Sequence, residues 1–306
     1  MLILAVESSC DETAVALVED GRRVLVDKIA SQADMHALYG GVVPEIASRK
    51  HVEVIAQLAE EALAEAGVTR KDLDAVAVTY APGLIGAVLV GVNFAKSVAY
   101  ALGIPLIPVH HVRGHIAANY IAFPELEPPF LALAISGGNT LIVDVRDYTD
   151  LEIVGATRQG TAGTYDLPRA HVSGSPFDMS FSGLKTAVVN LAHHAQQVGE
   201  ELDKASLALD FTNAVSDMLV PRAMAAAEER GRRTVVAAGG VAANSVIRAD
   251  LQRACDERGF RLYVPPLALC GDNGAMIGSQ GYYEYLAGRR AGTDLNAYAT
   301  LDIAEG

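Results

Sequence analysis

Basic residues are in short supply. Twenty-four Lys and Arg face 37 Asp and Glu, a formal net charge of −13. Phosphate affinity comes largely from Lys and Arg, so this balance excludes an obvious nucleic-acid binder; an RNA role needs a local basic patch or help from a partner. Cysteine is scarce as well. Cys10, Cys255 and Cys270 form no CxxC pair and no disulfide framework, which points to a reducing compartment and so to the cytoplasm. No apolar run reaches transmembrane length. Met1 to Val6 is too short for a signal peptide before Glu7 and Asp11 intervene.

What is present suits an α/β protein. The chain has 306 residues, 51% of them hydrophobic, enough for a sizeable core that divides more readily into two domains than one. Leu2 to Val6 reads as a buried strand, Glu7 to Thr13 as a small polar turn and Ala14 to Val18 as a second strand. Such a turn presents backbone N–H groups and hydroxyls that suit a phosphate, although alone it is more simply an ordinary turn. Helical spacing follows over Ile46 to Ala66, then a strand at Leu73 to Thr79, a nearly uncharged helix at Leu84 to Leu102 and a strand at Ile104 to Val109. Phe123 to Pro129 reads as a linker. Phe130 to Ile135, Ser136 to Thr140 and Leu141 to Val145 then repeat the opening strand, turn and strand, which implies a duplicated fold. Helices are expected from Phe181 to about His194 and from Leu207 to Arg230, the second kinked or broken at Pro221. Thr234 to Ala238 is a strand, Gly239-Gly240-Val241-Ala242-Ala243-Asn244 turns it into the helix Ser245 to Arg258, and Arg261 to Val264 is a further strand. Glycines at such a junction permit close approach by a ligand. The last helix spans Ala275 to about Leu286.

Three of the eight histidines lie in His110-His111-Val112-Arg113-Gly114-His115. His111 and His115 are four apart and share one helix face, a spacing that lets two imidazoles grip one metal ion; His110 points elsewhere. By itself such a pair is more often the polar end of a helix. Asp272, in a Gly-flanked loop before the last helix, is the candidate third ligand and equally a candidate helix cap. No carboxylate lies between His111 and His115, so a zincin would lack its base.

Taken together, the two polar turns and the Gly-Gly-Val-Ala-Ala-Asn junction resemble the actin, Hsp70 and sugar-kinase (ASKHA) superfamily. Glu7 to Thr13, Gly40 to Glu45, His110 to His115, Ser180 to Lys185 and Gly271 to Ala275 narrow this further. In that order, over nearly the whole chain, they resemble the tRNA threonylcarbamoyltransferase family TsaD in its bacterial form. The resemblance implies a duplicated ASKHA-like α/β fold with two subdomains around a nucleotide cleft. Residues 1–116, with 272–306 packing back, would form one subdomain and 117–271 the other. It implies an acyltransferase that moves the threonylcarbamoyl group of threonylcarbamoyl-AMP to N6 of adenosine 37, in tRNAs reading ANN codons. His111, His115 and Asp272 would hold one Fe²⁺ or Zn²⁺. Ser9, Ala134, Ile135, Ser136, Gly137, Gly138 and Asn244 would contact the adenylate, and Asp11 or Glu12 would accept the amine proton. Implied partners are TsaB, as a heterodimer, the ATPase TsaE and tRNA, with no membrane. The rival readings are a small-molecule kinase of the same superfamily, a metalloprotease and a noncatalytic scaffold resembling TsaB.

Two features depart from the family pattern. Many bacterial members carry His where this chain has Asn139. The family also has an acidic, Gly-rich stretch resembling DDAAGEAFDK, then a helix and a PGGP turn, where here Thr157 meets Arg158 directly. The expectation is a break in the chain between Gly155 and Gly160, at Thr157–Arg158, with Cα atoms farther apart than the about 3.8 Å of a trans peptide. A continuous chain there would make the excision real.

Overall fold

The computed structural model describes residues 1–135, 140–156, 176–199 and 203–306. In chain order the elements are β1 (Leu2–Glu7), β2 (Glu12–Glu19), β3 (Arg23–Ser31), α1 (Ala33–Ala37), α2 (Pro44–Ala66), β4 (Ala75–Ala81), α3 (Ile85–Leu102), β5 (Leu106–His110) and α4 (His111–Ala122). Then come β6 (Phe130–Ile135), β7 (Thr140–Val145), β8 (Leu151–Ala156), α5 (Ser182–Val198), α6 (Lys204–Glu229), β9 (Thr234–Ala238), α7 (Ser245–Arg258), β10 (Arg261–Tyr263) and α8 (Gly274–Leu286). They form two compact units. Unit 1 is Met1–Pro128, Arg146–Leu151 and Pro265–Gly306; unit 2 is Pro129–Val145 and Glu152–Val264. The position 116 expected as a subdomain boundary lies inside α4.

Unit 1 is built on a five-stranded sheet of order β3-β2-β1-β4-β5. Side chains alternate across a strand, so each strand serves two cores. Leu2, Leu4 and Val6 face α2 and α3 together with Val15, Leu17, Val76 and Val78. Ile3 and Ala5 face the other way, toward α8, together with Ala16, Val18 and Ala77. The antiparallel partner β3 does not stand out in the sequence. It is reached through the three residues Asp20 to Arg22, in a turn closed by Arg22 N on the Glu19 carbonyl at 3.2 Å, with Asp20 and Gly21 both at positive φ (50° and 70°).

Helix α8 approaches its face of the sheet closely because both sides carry small residues. A Cβ on Gly274 would lie 2.7 Å from the Ala16 nitrogen, one on Gly278 2.5 Å from Val18 Cγ2, and one on Gly281 2.6 Å from Ala77 Cβ. Helix α4 crosses α8 at Gly114, where a Cβ would lie 2.7 Å from Ile277 Cδ1. From Val112 to Tyr120 every residue of α4 is buried.

Unit 2 repeats the design, with a sheet of order β10-β9-β6-β7-β8. β6 pairs antiparallel with β7 and parallel with β9, as β1 does with β2 and β4. Leu131, Leu133, Ile135, Val235 and Ala237 form its core with α6 and α7 residues such as Met218, Ile247 and Leu251. Of the kink or break expected at Pro221, there is no break: the helix runs from Lys204 to Glu229 with the proline inside it. Strand β8 is additional to the sequence expectation. The expected break at Thr157–Arg158, the turn Ser136-Gly137-Gly138 and Asn139 all lie outside the described residues.

One expectation needs correction. Among the described residues α3, with 18 residues, is long and apolar enough to cross a membrane by length and composition. Val88, Val92, Ala95 and Ala99 of that helix are buried against the unit 1 sheet, and Lys96 Nζ donates to the Leu295 carbonyl at 3.0 Å. One face of the helix is thus buried on the sheet, while Ile85, Leu89 and Tyr100 on it are exposed.

The seating of α8 can be tested. Gly278→Ala forces a methyl into Val18, and overpacking of this kind costs about 1–3 kcal/mol. Urea unfolding should show a lowered midpoint with an unchanged slope, whereas Gly288→Ala, where the structure is open but φ is positive, should act only through its own backbone strain.

Candidate metal centre

The histidine segment sits where β5 ends and α4 begins. His110 is the last strand residue and caps the helix: its Nδ1 accepts from Val112 N at 3.2 Å, and its Nε2 lies 3.2 Å from the Leu301 carbonyl. Burial pushes its pKa down to about 4, so the ring is uncharged near neutral pH, with both its nitrogens engaged by the backbone. His111 is the first residue of α4, and His115 lies one turn on. Their rings stand edge to face with centroids 4.6 Å apart.

Asp272 comes from more than 150 positions along the chain, yet it reaches both rings. Its Oδ1 lies 3.2 Å from His115 Nε2 and 3.5 Å from His111 Nε2. One donor atom from each residue falls within 4.8 Å of the others. Donors about 2.0–2.1 Å from a tetrahedral zinc stand about 3.3–3.4 Å apart, so the measured separations fit a two-nitrogen, one-oxygen set. The loop is held from both sides. Asn273 Oδ1 caps α8 by accepting from Met276 N at 2.8 Å. Asp27 on β3 accepts from Gly274 N at 3.1 Å and Ala275 N at 3.3 Å. The cap role weighed for Asp272 thus belongs to its neighbour, which leaves the Asp272 carboxylate for the histidines.

Helix α4 is fixed from behind by Arg113, which is 1% exposed. Its Nε donates to the Ile303 carbonyl at 2.8 Å, and NH1 pairs with Glu284 of α8 at 3.1 Å. Truncating one partner of such a buried pair costs about 3–5 kcal/mol.

The polar turn after β1 meets the same centre. Ser9 Oγ lies 3.1 Å from His111 Nδ1. The Glu7 carboxylate, fully buried, lies 3.0 Å from that nitrogen. His51 of α2 braces the turn, with Nδ1 2.7 Å from Thr13 Oγ1 and Nε2 3.0 Å from the Cys10 carbonyl. Burial disfavours a charge on His111, but the carboxylates of Asp272 and Glu7 outweigh it and push its pKa up to about 9. Burial likewise opposes the charge on Asp272, and His111 and His115 hold its pKa well below the carboxylate range. In the neutral ring, a lone pair of His111 Nε2 faces a carboxylate oxygen. A cation, whether proton or metal, relieves that opposition.

Asp11 and Glu12 follow in the same turn. Glu12 accepts from Ser31 Oγ at 3.0 Å. Burial first, then the neighbouring Asp11 charge, pushes its pKa up to about 7.

The remaining sequence-derived residues belong to unit 2. Ala134 and Ile135 end β6 and are buried. Asn244 caps α7, its Oδ1 accepting from Val246 N at 3.0 Å and Ile247 N at 3.2 Å. Gly239, with φ 87°, is required by the fold itself, because a Cβ there would lie 2.5 Å from the Ile135 carbonyl oxygen; Gly240 has open space around it. Sequence reasoning missed Glu7, Asp27 and His51 as parts of the site. For Glu7 a signal existed, since a carboxylate directly follows an unbroken apolar strand.

A family model described as TsaD, tRNA N6-adenosine threonylcarbamoyltransferase, matches residues 23–279. The tRNA N6-adenosine threonylcarbamoyltransferase of Clostridium botulinum strain Hall is 45% identical over 333 aligned positions, covering 99% of this chain and 98% of that protein. The enzyme of the same name from Moorella thermoacetica is 47% identical over 331 positions, covering 98% and 97%. Both alignments exceed the 306 residues of this chain, so the relatives carry internal residues with no counterpart here. Among solved structures, the ROK hexokinase from Thermus thermophilus superposes with a TM-score of 0.51 at 15% identity, covering 94% of this chain and 100% of that one. That likeness is one of fold, and with the repeated sheet order it gives this chain the duplicated ASKHA-type α/β fold.

The raised pKa of Glu12 has a stability consequence. The folded chain holds this proton more tightly than an unfolded chain, in which the ordinary value is 4.5. The contribution is therefore fully present below about pH 4.5 and is lost as pH rises through about 7. Glu12→Gln should melt close to wild type at low pH and increasingly above it toward pH 8. Parallel melting curves at all pH values would contradict the assignment.

Proposed function

The chain belongs to the tRNA N6-adenosine threonylcarbamoyltransferase family, and from that premise we propose how its own residues carry the reaction. As an enzyme of this family it transfers a threonylcarbamoyl group to N6 of adenosine in tRNA. In our reading the donor is threonylcarbamoyl-AMP and the acceptor is adenosine 37 of tRNAs reading ANN codons.

His111, His115 and Asp272 hold one divalent ion, and borderline nitrogen donors with one carboxylate suit Zn²⁺ or Fe²⁺. The observation that carries this reading is the convergence of three donors from two distant segments within 4.8 Å. When bound, such an ion supplies Lewis-acid withdrawal of charge from oxygens of the donor. The donor is an activated mixed anhydride, so no protein nucleophile is needed. The bond from N6 to the carbamoyl carbon forms, the bond from that carbon to the phosphate oxygen breaks, and AMP leaves. Glu12 takes the proton released from N6, its pKa of about 7 being suited to a base at neutral pH; Asp11 beside it is the alternative base. Ser9 lies on the phosphate side. Ala134, Ile135, Ser136, Gly137, Gly138 and Asn244 bind the adenylate, the Asn244 Nδ2 amide donating while its Oδ1 caps α7.

We place the protein in the cytoplasm, a reading supported by three free cysteines. TsaB and TsaE are its partners in this reading. The excess of acidic residues, at net charge −13, supports a division of labour in which a partner helps to grip tRNA.

Reconstitution tests the whole reading. The chain is mixed with TsaB, TsaE, threonylcarbamoyl-AMP and unmodified tRNA, and threonylcarbamoyladenosine is sought by mass spectrometry. Formation is expected; a chain that binds nucleotide and metal but never modifies tRNA would overturn it. The same assay reads whether this chain works without the acidic, Gly-rich stretch of its relatives. His111→Ala should lose bound metal and lower transfer by about 100-fold or more, as for other losses of one electrostatic stabiliser, while staying folded.

Asn244 needs a paired test because it is also a cap. Asn244→Ala should lose both nucleotide binding and about 1 kcal/mol of stability. Asn244→Asp should keep the cap while replacing the amide donor with an anionic acceptor, and so should lose nucleotide binding but not stability. Equal nucleotide affinity of Asn244→Asp and wild type in calorimetry would remove Asn244 from the binding site.

A further inference from the structure

Glu7 is 0% exposed, and both its oxygens are engaged. Oε1 accepts from Ser9 N at 2.5 Å. Oε2 accepts from Thr79 Oγ1 at 2.5 Å and lies 3.0 Å from His111 Nδ1. A carboxylate can only accept. The hydrogen of that last contact therefore sits on Nδ1 of His111, shared with Ser9 Oγ at 3.1 Å. In the neutral ring this leaves Nε2 with its lone pair, directed at Asp272. His115 has no comparable anchor: among the described residues its buried Nδ1 finds no hydrogen-bond partner. Only one of the two rings is thus held in a stated tautomer by the protein.

We propose that Glu7 is the positioning residue of the metal centre, keeping a hydrogen on Nδ1 of His111 so that Nε2 is the nitrogen whose lone pair is offered to a divalent cation. This rests on the metal reading above and adds to it a residue that touches neither metal nor substrate. Outer carboxylates of this kind fix ring orientation and raise ligand basicity.

The geometry makes the isosteric variant Glu7→Gln more than a loss of charge. The Ser9 N–H is a backbone donor and cannot reverse, so it keeps the amide oxygen at the Oε1 position. The NH₂ group must then occupy the Oε2 position and donate toward Thr79 and His111. The Thr79 hydroxyl can rotate to accept. His111 can accept only through a bare Nδ1, which moves its hydrogen to Nε2. The variant therefore places an N–H where the lone pair stood. Thr79→Val removes one bond to Oε2 but leaves the carboxylate facing Nδ1.

The test uses the full chain with Zn²⁺ as probe, titrated against a chelating indicator, and long-range ¹H–¹⁵N spectra of labelled histidines. Wild type is expected to bind one zinc through His111 Nε2 with Nδ1 protonated. Glu7→Gln should bind about 10–100-fold more weakly, the usual range for loss of an outer-sphere partner. Thr79→Val should keep wild-type affinity to within about 3-fold, since a neutral hydroxyl bond contributes little by comparison. Zinc affinity of Glu7→Gln equal to wild type, or zinc on Nδ1 of His111 in the wild type, overturns the proposal. If Glu7→Gln does not fold, the wild-type spectrum alone decides by the same criterion. If the wild type takes up no zinc, the metal reading fails. The metal-free spectrum at about pH 10, where histidine is neutral, then decides for Glu7: hydrogen on Nδ1 sustains the assignment, and hydrogen on Nε2 overturns it.

Discussion

The candidate metal centre depends on how closely one helix can lie on one sheet. Asp272 precedes α8 by two residues, so its position is the position of that helix. α8 is seated by glycine against small residues: Gly274 on Ala16, Gly278 on Val18, Gly281 on Ala77. A side chain at any of the three would lift the helix. Interiors pack as densely as organic crystals, so a lift cannot be absorbed locally. A displacement of about 1 Å would carry the Asp272 carboxylate out of range of rings it now meets at 3.2 and 3.5 Å. The same helix takes the crossing of α4 at Gly114, so both ligand-bearing segments are referred to one packed interface.

Parts of this arrangement were legible in the sequence, and the reasons are local. His111 and His115 declare a shared face by their spacing alone. The Gly-Asp-Asn-Gly stretch announces a loop before a helix, and β1, β4, β6 and β9 show as short apolar runs. Less visible was whatever depends on a partner distant in the chain. β3 alternates weakly and is exposed along one side, so its pairing with β2 rests on the Asp20-Gly21 turn. Pro221 suggested a break, whereas α6 continues through it because Met218, Leu219, Ala223 and Met224 on either side are buried in the unit 2 core. α3 is long and apolar enough to cross a membrane, yet it packs on a sheet; composition cannot distinguish a sheet from a bilayer as the apolar neighbour.

The polar residues divide in the same way. Asn244 was read as a ligand, and what the structure shows is a cap, its Oδ1 accepting from two N–H groups of α7. Asp272 was weighed as a cap, and Asn273 takes that role. Glu7 was read only as the start of a polar turn, and Asp27 drew no attention, since a carboxylate in an edge-side strand is usually solvated. What distinguishes them is burial, 0% exposure for Glu7 and two backbone N–H partners for Asp27, and burial is a property of the folded chain.

The burial of α4 also sets an order of events in time. Nine consecutive residues, Val112 to Tyr120, are buried, and Arg113 ties the helix to Ile303 and Glu284. His115, inside that stretch, therefore cannot swing away without a sub-global opening of unit 1, and the His111 ring is held at Nδ1 by Glu7 and Ser9. Asp272 lies at the edge, 19% exposed and next to an exposed Gly271, on a loop only a few residues long. In the proposed metal reading, an ion leaving this centre would depart from the carboxylate first and the histidines last. Its residence time would then be governed by the loop, with the helix as the fixed wall of the exit.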